Sequence, residues 1–164
     1  MNYHGKKSLS TVLKISLDVL VLVGVVLFII LSKDTIFSQE FKTTSFKKYF
    51  IYSLFIIGSL SLLSIAYNLR KILNSLIGSN PFIWNNVKRL KRISIGCFII
   101  AGEYIINLFV NLDYENFSII YIDERGIHTD MEFFIFLFAG AFILILSKVF
   151  KEAVIAKEEN DLTI

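Results

Sequence analysis

The chain has 164 residues, the length of one domain; 55% are hydrophobic, 19% are charged and the formal net charge is +3. A water-soluble domain usually carries about a quarter charged residues. Here the charges fall in short segments between long apolar runs, and mean hydropathy is +0.65, a block pattern that excludes an ordinary soluble globule and marks a membrane protein.

A membrane span needs ~20 mostly apolar residues to cross ~30 Å of hydrocarbon. The first candidate covers about 11–32. Lys6, Lys7 and Lys14 precede its apolar core, as in a secretory signal, but Ser32, Lys33 and Asp34 follow with no small-x-small cleavage site. A retained helix is therefore expected. Asp18 lies four residues after Lys14, a spacing that predicts a pair near the inner membrane face.

The second span covers about 49–69. It carries Gly58 with Ser53, Ser59, Ser61 and Ser64, small and hydroxylated residues that let helices approach and hydrogen-bond. Beyond it Leu69, Ile72, Leu73, Leu76 and Ile77 keep helical spacing. The helix is expected to continue to Ile77, where Gly78 stops it. Asn80 followed by Pro81 reads as an N-cap with proline at the first helical position. A second helix is then expected from Pro81, with Ile83, Val87, Leu90 and Trp84 turned toward the first.

Two antiparallel helices of about 32 residues result, over 46–77 and 81–112, each ~48 Å long and ~18 Å longer than the hydrocarbon. The excess, about 70–92, forms a hairpin that stands in the cytoplasm or lies on the lipid surface. Its six basic residues, Arg70, Lys71, Lys88, Arg89, Lys91 and Arg92, have two readings. One is a topology anchor beside anionic lipid; the other is a docking surface for an acidic partner. Nucleic acid is not expected so close to a negative membrane.

The third span covers about 93–112. Glu103, Asn107 and Asn111 recur at four-residue steps and share one face, which Gly96 and Ile100 extend. A carboxylate near the bilayer centre is costly, so Glu103 is expected to face the bundle interior. Two roles stay open: a protonated carboxyl that glues helices together, or, with Asn107, Asn111 and Asp18, a polar site for a ligand, an ion or a proton. Cys97, the one cysteine, reads as a small apolar filler and excludes an intramolecular disulfide.

The connection 113–130 is acidic, with Asp113, Glu115, Asp123, Glu124 and Asp130 beside His128. Residues 118–122 are β-prone and Glu124-Arg125-Gly126 reads as a turn, so a short hairpin is expected. Asn116-Phe117-Ser118 matches a glycosylation sequon, a common chance match. The fourth span covers about 132–150 and is expected to continue as helix to about Glu158. The tail, 151–164, is acidic where the hairpin is basic. It either closes against the hairpin, with Leu162 and Ile164 adding apolar contact, or stays exposed as a peptide for another protein, for instance by strand addition.

Orientation follows from lysine and arginine in the flanks. The N-terminal arm, the hairpin and the tail hold twelve basic residues; the other two connections hold five, namely Lys33, Lys42, Lys47, Lys48 and Arg125. Both termini are therefore expected in the cytoplasm. The expected fold is an all-α, four-helix transmembrane bundle, one domain over 1–164, with helices 2 and 3 extended into a cytoplasmic hairpin. No nucleotide-binding glycine motif, metal-ligand cluster or nucleophile with a nearby base is present. An enzyme, a cofactor and a catalytic residue are not expected.

Two stretches carry a family likeness. One is Asn80-Pro81-Phe82 with Asn85-Asn86 and the basic-apolar run Val87-Lys88-Arg89-Leu90-Lys91-Arg92-Ile93; the other is the ending Lys157-Glu158-Glu159-Asn160-Asp161-Leu162-Thr163-Ile164. With four spans in so short a chain, these resemble the bacterial membrane family known as domain of unknown function 2975 (DUF2975). Where members of that family have an acidic residue after the Pro-Phe pair, this chain has Trp84 and Asn85.

The resemblance implies four helices in the cell membrane. It also implies a neighbourhood with small helix-turn-helix regulators, and so a regulatory or sensory protein that docks such a partner. On that reading Asn80, Pro81, Phe82, Arg89, Arg92, Glu158, Glu159, Asn160, Asp161 and Leu162 form the docking face. The competing reading is a small transporter, or an immunity protein against a membrane-active toxin, using the Glu103 stripe.

Overall fold

A computed structural model describes residues 9–37, 46–78, 80–111, 120–123, 126–129 and 131–162. Four helices dominate: α1 (Leu9–Phe37), α2 (Phe46–Ile77), α3 (Trp84–Asn111) and α4 (Glu132–Asp161). Each is long and apolar enough to cross a membrane. Between α3 and α4 lies an antiparallel strand pair, β1 (Ile120–Asp123) and β2 (Gly126–Thr129), in which Ile120 faces Thr129 and Asp123 faces Gly126. The expected short hairpin is therefore present. Residues Glu124 and Arg125 of its expected turn lie outside the described residues, as do the sequon at Asn116, the acidic Asp113, Glu115 and Asp130, and Lys42, Thr163 and Ile164.

The principal contacts join α1 to α2, α2 to α3, and α3 to α4, with α3 and α4 the most extensive pair. The physical reason is residue size. Gly140 on α4 lies so close to α3 that a Cβ there would sit 2.9 Å from Phe98 and 3.2 Å from the Cys97 Cβ. Backbones that approach this far can bond across: the Ser94 hydroxyl donates to the Gly140 carbonyl at 2.8 Å, and the Ser147 hydroxyl donates to the Val87 carbonyl at 3.0 Å. Ser94 and Ser147 are both buried. Cys97 is buried as expected, in a cluster with Ile72, Leu90 and Ile93.

The first helix is held differently. No residue of its apolar window is buried, and Val12, Leu20, Leu22 and Leu27 are among many exposed side chains. Its partly covered positions, Thr11, Lys14, Leu17, Asp18, Val21, Val25, Phe28 and Ser32, follow the helical repeat and form a single stripe. Phe28 stacks on Phe55 of α2 with ring centroids 5.6 Å apart. One carboxylate anchors the stripe. Asp18 does not take Lys14 as its partner: Arg70 of α2 grips it twice, Nε to Oδ1 at 2.7 Å and Nη2 to Oδ2 at 3.2 Å. The planar guanidinium matches both carboxylate oxygens at once, which a lysine one turn away cannot do.

The second correction concerns the start of α3. α2 ends at Ile77 as its periodicity predicts, but α3 begins at Trp84 and not at Pro81. The Asn80 side chain is not spent on capping, because its Oδ1 accepts a hydrogen bond from Lys157 at 3.0 Å. The Pro81 carbonyl instead accepts the Ile83 N–H at 3.1 Å and the Asn86 side-chain amide at 2.8 Å. Those bonds hold residues 80–83 in a turn, and the helix starts only after it.

Candidate functional site

Two places in the molecule collect the chemistry. The first is the end of the bundle where α2 turns into α3. Asn86 is its hub, with no exposed surface at all. Its amide donates to the Ser75 hydroxyl on α2 and to the Pro81 carbonyl, and its carbonyl oxygen accepts from Arg89 Nη1 at 3.0 Å. The same Arg89 nitrogen reaches the Lys71 carbonyl at 3.4 Å. Arg89 therefore ties α3 to α2 and is half-buried, while Lys88, Lys91 and Arg92 remain exposed. Leu90 and Ile72 pack behind this network.

Onto this turn comes the far end of α4. Trp84 Nε1 donates to Glu158 at 2.8 Å, Lys157 donates to Asn80, and Phe82 lies against Phe150 with centroids 5.5 Å apart. Trp84 thus faces α4 and not α2. Val154, one turn after Phe150 on α4, is only 2% exposed. The two sequence stretches around Asn80 and Glu158, nearly eighty residues apart, are brought together as one face. The contact that closes it comes one turn earlier than Leu162, which is 87% exposed and adds no apolar cover. The tail is also not an extended peptide. It is helical through Asp161, and the Leu162 N–H still bonds to the Glu158 carbonyl at 3.2 Å. Strand addition by residues 158–161 would require that last turn to unwind.

The second place is midway along α2 and α3. Glu103, Asn107 and Ile100 do share a face, and it is turned toward α2. There they line a cavity of about 380 Å³ with Ile51, Leu54, Phe55, Gly58 and Phe136 among its other walls. Gly58 is what allows Glu103 to lie there, because a Cβ at that position would collide with Glu103 Oε2. The other carboxyl oxygen, Oε1, is buried and has no hydrogen-bond partner among the described residues. The expected glue between helices is therefore not formed by this oxygen. Tyr104 and Phe136 stack at 5.8 Å along one wall. Asn111 ends α3, and Asp18 lies elsewhere, in its clasp with Arg70.

Sequence reasoning named Asn86 only as part of the family likeness, with no role, and missed Ser94, Gly140 and Ser147. Each is a small or polar residue inside an otherwise apolar or basic run, a signal that locates a helix contact only once the partner face is known. Among the described residues no group of three or more His, Cys, Asp or Glu side chains is placed to hold a metal ion.

A family model described as "Protein of unknown function (DUF2975)" matches residues 9–164, nearly the whole chain. No curated protein and no solved structure matches.

Proposed function

The chain belongs to the DUF2975 family, and from that premise we propose that it is a non-enzymatic regulatory or sensory protein of the bacterial cell membrane. Both termini lie in the cytoplasm, and the turn between α2 and α3, together with the end of α4, forms a docking face for a cytoplasmic partner such as a small helix-turn-helix transcription factor. One observation carries the reading: Trp84, Asn80 and Phe82 hold the end of α4 in place through Glu158, Lys157 and Phe150. A surface fixed in advance loses little conformational freedom on binding. It presents both signs of charge, with Lys88, Lys91 and Arg92 exposed on α3 and Glu159 and Asp161 exposed on the last turn of α4. The twelve-to-five division of basic residues supports the cytoplasmic placement.

The test is co-purification of the full-length chain with the regulator encoded beside it. Capture is expected for the wild type and is expected to weaken on deletion of 159–164 or in Trp84→Ala, which frees the end of α4. A wild-type chain that captures no regulator refutes the docking role. A fluorescent protein fused after Ile164 is expected to fluoresce in cells, which an outward C-terminus would prevent.

A transporter is favoured by one feature only, the cavity at Glu103. On that reading Glu103→Gln abolishes flux into liposomes, while deletion of 159–164 leaves it intact.

A further inference from the structure

We propose that the Glu103 cavity is a binding site for a lipophilic amine: a small molecule with an apolar body and a single protonated nitrogen. The observation is an acceptor without a donor. Oε1 of Glu103 is buried and unpartnered among the described residues, in a space whose other walls are mostly aliphatic and aromatic. Burying a carboxyl oxygen without a hydrogen bond is unfavourable, so such a group is retained where something else satisfies it.

Among the described residues the protein's own cations on these helices lie far along them. Arg92 is eleven residues from Glu103 on α3, Arg70 is twelve from Gly58 on α2, and Lys47 is eleven from Gly58 on the other side. At 1.5 Å per residue these separations are ~16–18 Å along the helix axes. On α4 the charged group one turn before Phe136 is another carboxylate, Glu132. Of the neutral donors on the cavity wall, Ser59 gives its hydroxyl to the Phe55 carbonyl and Asn107 does not reach Oε1, so the missing donor arrives with the ligand.

The walls select its chemistry. An ammonium against Glu103 would make a charge-assisted bond and would also face the rings of Phe55, Tyr104 and Phe136, whose π faces attract cations. An anion would meet only like charge. The volume, about 380 Å³, lies in the range of small-molecule sites. Leu62, Phe55 and Tyr104 are lining residues that are also largely exposed on the outer surface of the bundle, so entry is sideways, through the surface that faces hydrocarbon. A lipid headgroup ammonium is a poor fit, because its phosphate would be drawn to the same depth. The occupant is a free amine that partitions into the bilayer.

This inference does not depend on the docking face. The full chain is purified in dodecyl maltoside, which carries neither charge nor amine. Equilibrium dialysis then compares 4-phenylbutylamine with its neutral counterpart 4-phenylbutanol, with empty micelles as blank. Saturable binding of one amine per chain is expected, about tenfold or more tighter than the alcohol. Glu103→Gln is expected to lose that preference, and Leu54→Trp, which fills the cavity and keeps the carboxyl, to lose both ligands. Equal binding of amine and alcohol, no saturable binding above the micelle blank, or an amine affinity in folded Glu103→Gln within twofold of wild type overturns the proposal. Should Glu103→Gln fail to fold, Leu54→Trp decides: loss of the amine supports the site, and retention overturns it. A chain that binds the amine but captures no regulator separates this site from the docking role.

Discussion

The turn end of the bundle and the level of Glu103 bury polar groups in opposite ways. At the turn, Asn86 is fully enclosed and every polar atom of its side chain is engaged, by Ser75, Pro81 and Arg89. At Glu103 the neighbouring glycine makes room for a carboxyl, and one oxygen is left without a partner among the described residues. A satisfied network fixes a unique geometry; an unsatisfied buried group costs stability. The molecule thus divides into a turn end whose buried polar atoms are satisfied from within and a level where one buried oxygen is not.

The comparison can be broken by substitution, with stability followed by thermal or denaturant unfolding in detergent. The largest effect is expected at the turn. Asn86→Ala strands Arg89 and the Pro81 carbonyl and should destabilise by ~3 kcal/mol, since each orphaned buried group costs ~1–3. Gly140→Ala comes next: the new methyl meets Phe98 and Cys97, and an over-packed contact of this kind costs ~1–3 kcal/mol. At the other level the sign should reverse. Glu103→Leu removes the unpartnered oxygen and should raise stability by ~1 kcal/mol, while abolishing amine binding. A loss there comparable to that at Asn86 would mean that Glu103 is structural after all.

Smaller changes sharpen the picture of what joins the helices. Ser94→Ala should cost ~0.6 kcal/mol, the average of a hydrogen bond between transmembrane helices. Arg70→Met should cost less than ~1 kcal/mol, because the Asp18 pair is partly exposed and screened by salt. Its readout is better taken as proteolytic release of α1, which otherwise rests on α2 through the single stripe that includes Phe28.

Reading along the chain found the helices but not their partners, and the errors show why. The four spans and the end of α2 at Ile77 are local properties: an apolar run long enough for a bilayer, and a three-to-four periodicity that persists beyond it. Asn80-Pro81 also carries a local signal, for a helix start, and it misleads because Lys157 engages the asparagine from seventy-seven residues away. Asp18 misleads in the same manner. The four-residue spacing favours Lys14, and the bidentate fit of Arg70, fifty-two residues on, wins. The stripe of Ile100, Glu103 and Asn107 was legible because one helix fixes its own faces.

By itself, then, the sequence determined that this chain carries four helices long and apolar enough to cross a membrane, where α2 and α4 begin, and which residues of α3 share a face. Each of these depends on hydrophobicity and helical period alone. Only the tertiary structure decided that the end of α4 rests on Trp84 and Asn80, that Asn86 rather than the exposed lysines organises the turn, and that Glu103 faces a cavity with one oxygen unmet. Those outcomes depend on which helix faces meet and how closely small residues such as Gly58 and Gly140 let them approach, and no single segment carries that information.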